Sequence, residues 1–336
     1  MPGRPLRIGV LGLGRIGRIH ALNASRHVRG ATLIACADPV AEVRADVAQD
    51  LGITRLHADY REVLAADDID AVVAATPTST HFEVLTACAR AGKPIFAEKP
   101  IDLDLGRIDE ITAEVERRGV PMMVAFQRRY DPDFRRLCDV VRGGGVGDVH
   151  LVRITSRDAM MPHESFIPTS GGIFVDMTVH DFDMVRFLTG REVTSVFARG
   201  SVKVDPMFGR HGDWDRAVIT LTLEGGALAT IDNSRLAVYG QDQRAEVFGS
   251  RGLAAAANQA VDRVYTADAS GYHAARLTSF FPERYKEAYR LELQAFVDAV
   301  RSGHAMPVTA ADGRAATVIA VAARESASTG TVIALA

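Results

Sequence analysis

The run LRIGVLGLGRIG, residues 6–17, passes from six strand-like residues into glycines at 12, 14 and 17. Glycines in that spacing, after a strand and at the head of a helix, permit a tight turn, let backbone approach a pyrophosphate and allow close helix-to-strand packing. The helix N-terminus adds unpaired N–H groups and the positive end of its dipole. Taken alone, Gly12, Gly14 and Gly17 describe a ligand-free turn equally well. The next apolar run, TLIACAD, ends in Asp38, at the distance where an acid accepts a hydrogen bond from an adenine-ribose 2′-hydroxyl. A dinucleotide site is therefore expected. Asp38 repels a 2′-phosphate and is followed by Pro39 and Val40 instead of arginine, which favours NAD over NADP. Arg15, inside the turn, is the residue that runs against this preference or else sits over the pyrophosphate or adenine.

Outward from this unit, AVVAATP (71–77), PIFAEKP (94–100) and PMMVAFQ (121–127) alternate with the helical patterns HFEVLTACARAG and LGRIDEITAEVERRG. These apolar runs lack polar alternation, as strands buried on both faces do, and the repeat predicts an α/β, doubly wound parallel sheet over residues 1–127. From 128 to 336 the pattern changes. AVITLTLEGGALATIDNSRLAV and QRAEVFGSRGLAAAAN each read as alternating strands joined by a glycine turn, which predicts an α+β domain with a largely antiparallel open sheet. Two closing helices, ERYKEAYRLELQAFVDAVRSG and one near 310–325, are free to pack back on the first domain.

A chain of 336 residues exceeds the size at which one core usually keeps growing, which fits two domains. Its 24% charged residues are dispersed and its net charge is only −3, so neither nucleic acid nor a membrane surface is an expected partner. Cys36, Cys88 and Cys138 lie in apolar surroundings at no metal or redox spacing, as in a reducing compartment. Basic residues precede the first apolar run, but that run is short and interrupted by glycine, so a cytoplasmic location is expected instead of secretion.

Two places carry chemistry beyond the glycine turn. Glu98 and Lys99 stand at the end of a buried strand, where open α/β sheets gather ligands, and Pro100 keeps the lysine backbone out of the helical region. An ammonium there polarises a hydroxyl or carbonyl oxygen, while Thr76, Pro77 and His81 lie at the neighbouring strand exit. The second place is GGIFVDMTVHDFDMVRFL, residues 171–188, where Asp176 and His180 interrupt an apolar helix four residues apart, a spacing that puts both on one face. An alcohol carbon that gives up a hydride needs a base for its hydroxyl proton, and imidazole titrates near neutrality. Two other uses stay open. Asp176 can cap the helix start, and Asp176, His180 and Asp183 with His163 can be read as metal ligands, although the set lacks the histidines or thiolates of a strong site and no metal is expected.

With GLGRIG, AEKP and DMTVHDFD in place, the sequence resembles the Gfo/Idh/MocA oxidoreductase family over nearly its whole length, and within it the bacterial inositol 2-dehydrogenases. FQRRYDPDF, NSRLAVYGQDQRAEVFGSRG and SFFPERYKEAYRLELQAF carry that narrower likeness. The resemblance implies NAD-dependent oxidation of a ring hydroxyl of a cyclic polyol, myo-inositol first, to an inosose. It also implies an N-terminal Rossmann domain, and a C-terminal sheet used in forming a homotetramer. It assigns Lys99, Asp176 and His180 as the catalytic trio, adds Ile16 to the cofactor contacts, and gives Arg129, Asp183 and Tyr239, with Asp158 and Tyr285, to the substrate. Relatives acting on glucose-like sugars or anhydrosugars share the trio, and the loop SRDAMMPHESFIPTSGG is where substrate identity is expected to be set. A non-enzymatic NAD-sensing regulator on the same fold would be expected to lack the lysine or the histidine.

Overall fold

The computed structural model describes residues 4–335. The chain divides into two compact units: residues 1–130 with 287–317, and residues 131–286 with 318–336.

The first unit contains the parallel sheet expected from the alternation. Its strands are β1 (Leu6–Leu11), β2 (Ala31–Ala37), β3 (Leu56–His57), β4 (Ala71–Ala74), β5 (Ile95–Glu98) and β6 (Met122–Ala125), in the order β3-β2-β1-β4-β5-β6. Strands β4, β5 and β6 are buried along their full length, which is why they carry no polar alternation. The two-residue β3 was too short to register in the sequence. Strand order reverses between β1 and β4, so the carboxyl ends of β1, β2, β4 and β5 border the crevice in which doubly wound sheets hold ligands. The helix Lys286–Ser302 buries Tyr289, Leu293, Phe296 and Val297 at i, i+3, i+4 spacing, and Phe296 meets Phe96 of β5 edge-on at 5.6 Å. Burying one such side chain contributes about 2 kcal/mol.

The second unit carries a seven-stranded sheet in the order β12-β11-β7-β10-β9-β8-β15. Its strands are β7 (Val149–Arg157), β8 (Val193–Ser201), β9 (Arg216–Leu223), β10 (Leu228–Ser234), β11 (Asp242–Gly249), β12 (Gly252–Ala256) and the short β15 (Ile333–Ala334). A separate exposed hairpin, β13 (Tyr265–Asp268) with β14 (Gly271–Ala274), stacks Tyr265 on Tyr272. The sheet is mixed. β7 and β10 run parallel and every other pair is antiparallel, because β8 and β9 intervene in the chain between these two neighbours. Along β9 Ala217, Ile219, Leu221 and Leu223 are buried and Val218 is exposed, the period-two pattern of a sheet with one core face. Among the described residues no helix is long and apolar enough to cross a membrane.

Candidate active site

Each glycine of the turn has its own structural reason. Gly12 has φ +85°, and a β-carbon there would lie 2.6 Å from the Ala75 carbonyl oxygen. A β-carbon on Gly17 would collide with the Gly12 carbonyl oxygen, so the helix Arg15–Leu22 can close on the strand only without one. Gly14 differs. It is the N-cap residue of that helix and offers no side-chain cap, and among the described residues nothing beyond its chain neighbours and the helix's own backbone lies within 4 Å of where its β-carbon would be. Free N–H groups at a helix N-terminus with open space before them fit the pyrophosphate of a dinucleotide. Exposed Arg15 and half-buried Ile16 follow Gly14 directly.

Asp38 leaves β2 beside this turn. Its Oδ2 accepts the Leu13 N–H at 2.8 Å and its Oδ1 accepts the Val40 N–H at 2.9 Å, so the carboxylate is fixed by backbone on both sides. Arg44, which the sequence reading passed over, donates to the Asp38 carbonyl at 2.6 Å. At the β4 exit, Thr76 is half-buried and Pro77 exposed. His81 is buried with its ring nitrogens 2.9 Å from the Thr76 and Pro100 carbonyl oxygens, and it braces the β4 exit against the β5 exit.

The β5 exit carries Glu98 and half-buried Lys99. Glu98 accepts the Lys99 N–H at 3.3 Å through Oε2, while its Oε1 lies 2.8 Å from Nε2 of the fully buried His20. His20 was missed in the sequence because one histidine on an apolar helix face gives no signal of its own. Arg129, in the single turn Gln127–Tyr130 after β6, is buried and pairs with Asp312 at 3.0 Å. Burial works against the charge of Asp312, but Arg129 and the Thr309 N–H hold its carboxyl below the usual range.

In the second unit, the segment 171–188 is largely buried, with Gly171, Gly172, Asp176 and Arg186 half-buried. Val179, Asp181, Phe182, Asp183, Met184 and Val185 are all at most 2% exposed, and His180 is 7% exposed. Its backbone is not uniformly α-helical. Phe174–Thr178 form a π-helical turn that runs into the α-helix Val179–Thr189, so Asp176 and His180 straddle a widened turn instead of occupying one regular face. Asp176 lies in the first turn of the segment. Just before that turn Asp213 accepts the Ile173 N–H at 2.9 Å, and burial pushes its carboxyl up. Asp176 accepts from Arg235 Nη1 at 2.6 Å. Arg235 is 3% exposed. Burial opposes its charge, and Asp176, helped by Asp213 and Asp158, more than offsets that and raises it above the ordinary guanidinium range.

Below this pair runs a second buried network. The Asn233 amide donates to Asp181 at 2.8 Å and its oxygen accepts from Thr178 at 2.6 Å, joining β10 to the helical segment. Sequence reasoning missed Arg235 and Asn233 because both lie in what reads as an ordinary strand and its exit. The remaining expected residues surround these networks. Asp158, at the end of β7, accepts from Gln241 at 2.8 Å. The half-exposed Tyr239 donates to Asp242 at 2.6 Å and accepts from Arg157 at 2.8 Å; burial first and then Asp242 raise its phenol, which stays a donor. Tyr285 is a core side chain, 2% exposed, whose hydroxyl donates to Gln243 at 3.0 Å. His163 lies on the loop, where Nδ1 is 2.8 Å from the Ser165 hydroxyl.

Comparison with known proteins covers both units. Residues 6–126 match a family described as oxidoreductase family, NAD-binding Rossmann fold, and residues 134–255 match the GFO/IDH/MocA C-terminal domain. The myo-inositol 2-dehydrogenase of Thermotoga maritima is 43% identical over 96% of this chain and 96% of its own length. The inositol 2-dehydrogenase of Rhizobium meliloti is 44% identical with the same coverage of both chains. The scyllo-inositol dehydrogenase of Lactobacillus casei, solved with bound NAD(H) and scyllo-inositol, superposes with a TM-score of 0.92 at 29% identity, covering 98% of this chain and 99% of that one. The chain belongs to the Gfo/Idh/MocA family of NAD-binding oxidoreductases.

Proposed function

We propose that the protein oxidises a ring hydroxyl of myo-inositol, or of a related inositol, to the inosose. The observation that carries this reading is Asp176, fixed by the buried Arg235 one turn before His180 in a chain whose full-length relatives bear inositol dehydrogenase names. Bound NAD supplies the hydride acceptor. His180 takes the hydroxyl proton, because a group titrating near neutrality is the best base at working pH. Asp176 orients that imidazole or the hydroxyl beside it, and a guanidinium at 2.6 Å favours its carboxylate form. Lys99 stabilises negative charge growing on the oxygen as the proton leaves. Arg129, Asp158, Asp183 and Tyr239 are proposed to meet the remaining hydroxyls, with Tyr285 behind them.

NAD is proposed over NADP because a fixed Asp38 carboxylate at the β2 exit repels a 2′-phosphate. The loop 156–172 presents Met160, Met161 and Phe166 to the surface and is proposed to choose the substrate. A homotetramer is proposed as the assembly, supported by Val218, Leu228, Phe248 and Leu253, which remain exposed on the second sheet; sedimentation of the purified protein tests it.

The functional test is NAD reduction, followed by absorbance, with myo-inositol beside scyllo-inositol, chiro-inositol, glucose and levoglucosan, repeated with NADP. Strong turnover of an inositol with NAD is the expected result. Glucose or levoglucosan turning over far better would move the substrate to the sugars while keeping the residue roles, and silence on the whole panel with NAD still bound would overturn the reading.

A further inference from the structure

The stripe that helix Lys286–Ser302 buries contains an acid among its apolar side chains. Between Tyr289 and Leu293 stands Glu292, 0% exposed, and neither of its carboxyl oxygens has a hydrogen-bond partner among the described residues. It faces His20 and Glu98 of the same unit, with one ligand atom from each of the three side chains within 4.8 Å of the others. The surroundings are aromatic: the His20 ring contacts Phe96 at 4.9 Å and Tyr289 at 5.9 Å, both edge-on.

An unpaired carboxylate in such a place costs several kcal/mol, and two carboxylates beside a single imidazole cannot both be neutralised by it. The two acids are not equivalent. Glu98 already accepts from two sides, with His20 Nε2 at 2.8 Å and the Lys99 N–H at 3.3 Å. Glu292 has no donor directed at it. Burial, and after it the charge of Glu98, push the Glu292 carboxyl well above its ordinary range.

We propose that Glu292 is a positioning residue acting as a neutral carboxylic acid, its O–H directed at the Glu98 carboxylate, so that Glu292 and His20 together fix the strand exit that carries Lys99. The inference rests on the role given to Lys99 above. Glu98 then becomes a carboxylate bound from three elements: the helix that follows the glycine turn, its own strand exit, and the helix that returns from the end of the chain. A direct contact, or one bridging water, spans the separation between the two carboxyl groups. A divalent cation could use the same three side chains. The separation of 2.8 Å between His20 Nε2 and Glu98 Oε1 argues against it, because that distance holds a proton between the two atoms, so Nε2 has no lone pair to direct at a metal there.

The test compares Glu292→Met, which fills the space without polarity, with Glu292→Gln, which is neutral and restores the donor. E292M is expected to melt no lower than the parent protein, because an apolar isostere of a buried polar group is often neutral or stabilising. Its kcat is expected to fall about 10-fold through misplacement of Lys99, with KM for the polyol changed by less than about twofold. E292Q is expected to bring kcat back to within about threefold of the parent. The infrared C=O band of a protonated carboxyl should be present in the parent and missing from E292Q, a readout that needs no turnover.

Parental kcat in E292M, E292Q as slow as E292M, or no protonated band would each overturn the proposal. So would one tightly held divalent cation per chain whose chelation lowers the melting temperature. If the parent protein oxidises no inositol, the proposed function fails on its own, and the infrared band still decides the state of Glu292.

Discussion

At the glycine turn of the first unit nearly every requirement is local, whereas around Asp176 in the second unit nearly every partner is remote. Gly17 answers to a collision with the Gly12 carbonyl inside the turn and Gly12 to a positive backbone angle, and the acid that braces the turn is only 25 residues away; the Ala75 carbonyl that closes on Gly12 is its remote element. The helical segment that carries Asp176 is met at its start by Asp213, 40 residues beyond Ile173. Its charge partner Arg235 lies 59 residues beyond Asp176, and its buried amide Asn233 52 residues beyond Asp181. A site built from local rules is visible as a motif. A site held by remote strands is visible as an anomaly, here a carboxylate and an imidazole among buried apolar residues, and its supporting groups stay hidden until the sheet is assembled.

The sharpest way to break this comparison is to remove the imidazole. His180→Ala is expected to lower kcat by about 10³-fold, the scale of a general base, while NAD binding, read by fluorescence or calorimetry, stays within about twofold of the parent. The glycine turn and the Asp38 carboxylate are intact in that variant, so loss of NAD affinity together with a collapse of the melting temperature would show that His180 serves packing and that the two units do not divide the labour in this way.

The remote support should show itself as stability. Arg235→Leu removes one partner of a buried ion pair and takes the guanidinium away from Asp176 and Asp213, a loss of about 3 kcal/mol in urea unfolding. Adding Asp176→Leu removes the carboxylate that faced Arg235 and should recover part of that loss. If the two changes instead add without coupling, Arg235 supports the segment by packing alone, and the contrast between local and remote construction weakens.

How much could be read in advance follows the same division. β4, β5 and β6 are buried along their full length, β1 nearly so and β2 in its last three residues, so their apolar runs announced themselves, and Gly12-Gly14-Gly17 with Asp38 marked the cofactor end. The two-residue β3 and β15 carry too few residues for any period to show. The parallel β7–β10 pairing could not be read either, because alternation reports which face is buried and not which neighbour a strand takes. The π-helical turn at Phe174–Thr178 has no compositional signature. His20, Asn233, Arg235 and Glu292 were illegible for a related reason: each looks like an ordinary helix or strand residue until its partner arrives from elsewhere in the fold.

Asp38 tests the local half. Asp38→Asn keeps an acceptor for the Leu13 N–H while removing the charge that would meet a 2′-phosphate. The ratio of kcat/KM for NADP to that for NAD is expected to rise about 10-fold, roughly 1.4 kcal/mol. An unchanged ratio would place cofactor choice elsewhere, with Arg15 and Arg44 the next residues to change.

The smallest effect is a pH dependence of stability, and it belongs to a group of the first unit that is itself held by remote contacts. Glu292 has its folded-state carboxyl raised by burial and by Glu98, while in the unfolded chain it returns to about 4.5. Above that pH the unfolded chain has released this proton and the folded chain still holds it, so stability falls as pH rises, until the folded group itself ionises. The contribution is therefore complete below 4.5 and progressively lost above it, the opposite of a salt-bridged carboxylate such as Asp70 beside Arg7, whose contribution is lost as pH falls. Glutamine does not titrate. The melting temperature of Glu292→Gln relative to the parent should accordingly climb as pH rises above about 4.5, by about 2 °C for each kcal/mol in a chain of this size. Parallel curves for the two proteins would mean that Glu292 is ionised in the fold, and that the exit of β5 is held by charge and not by a shared proton.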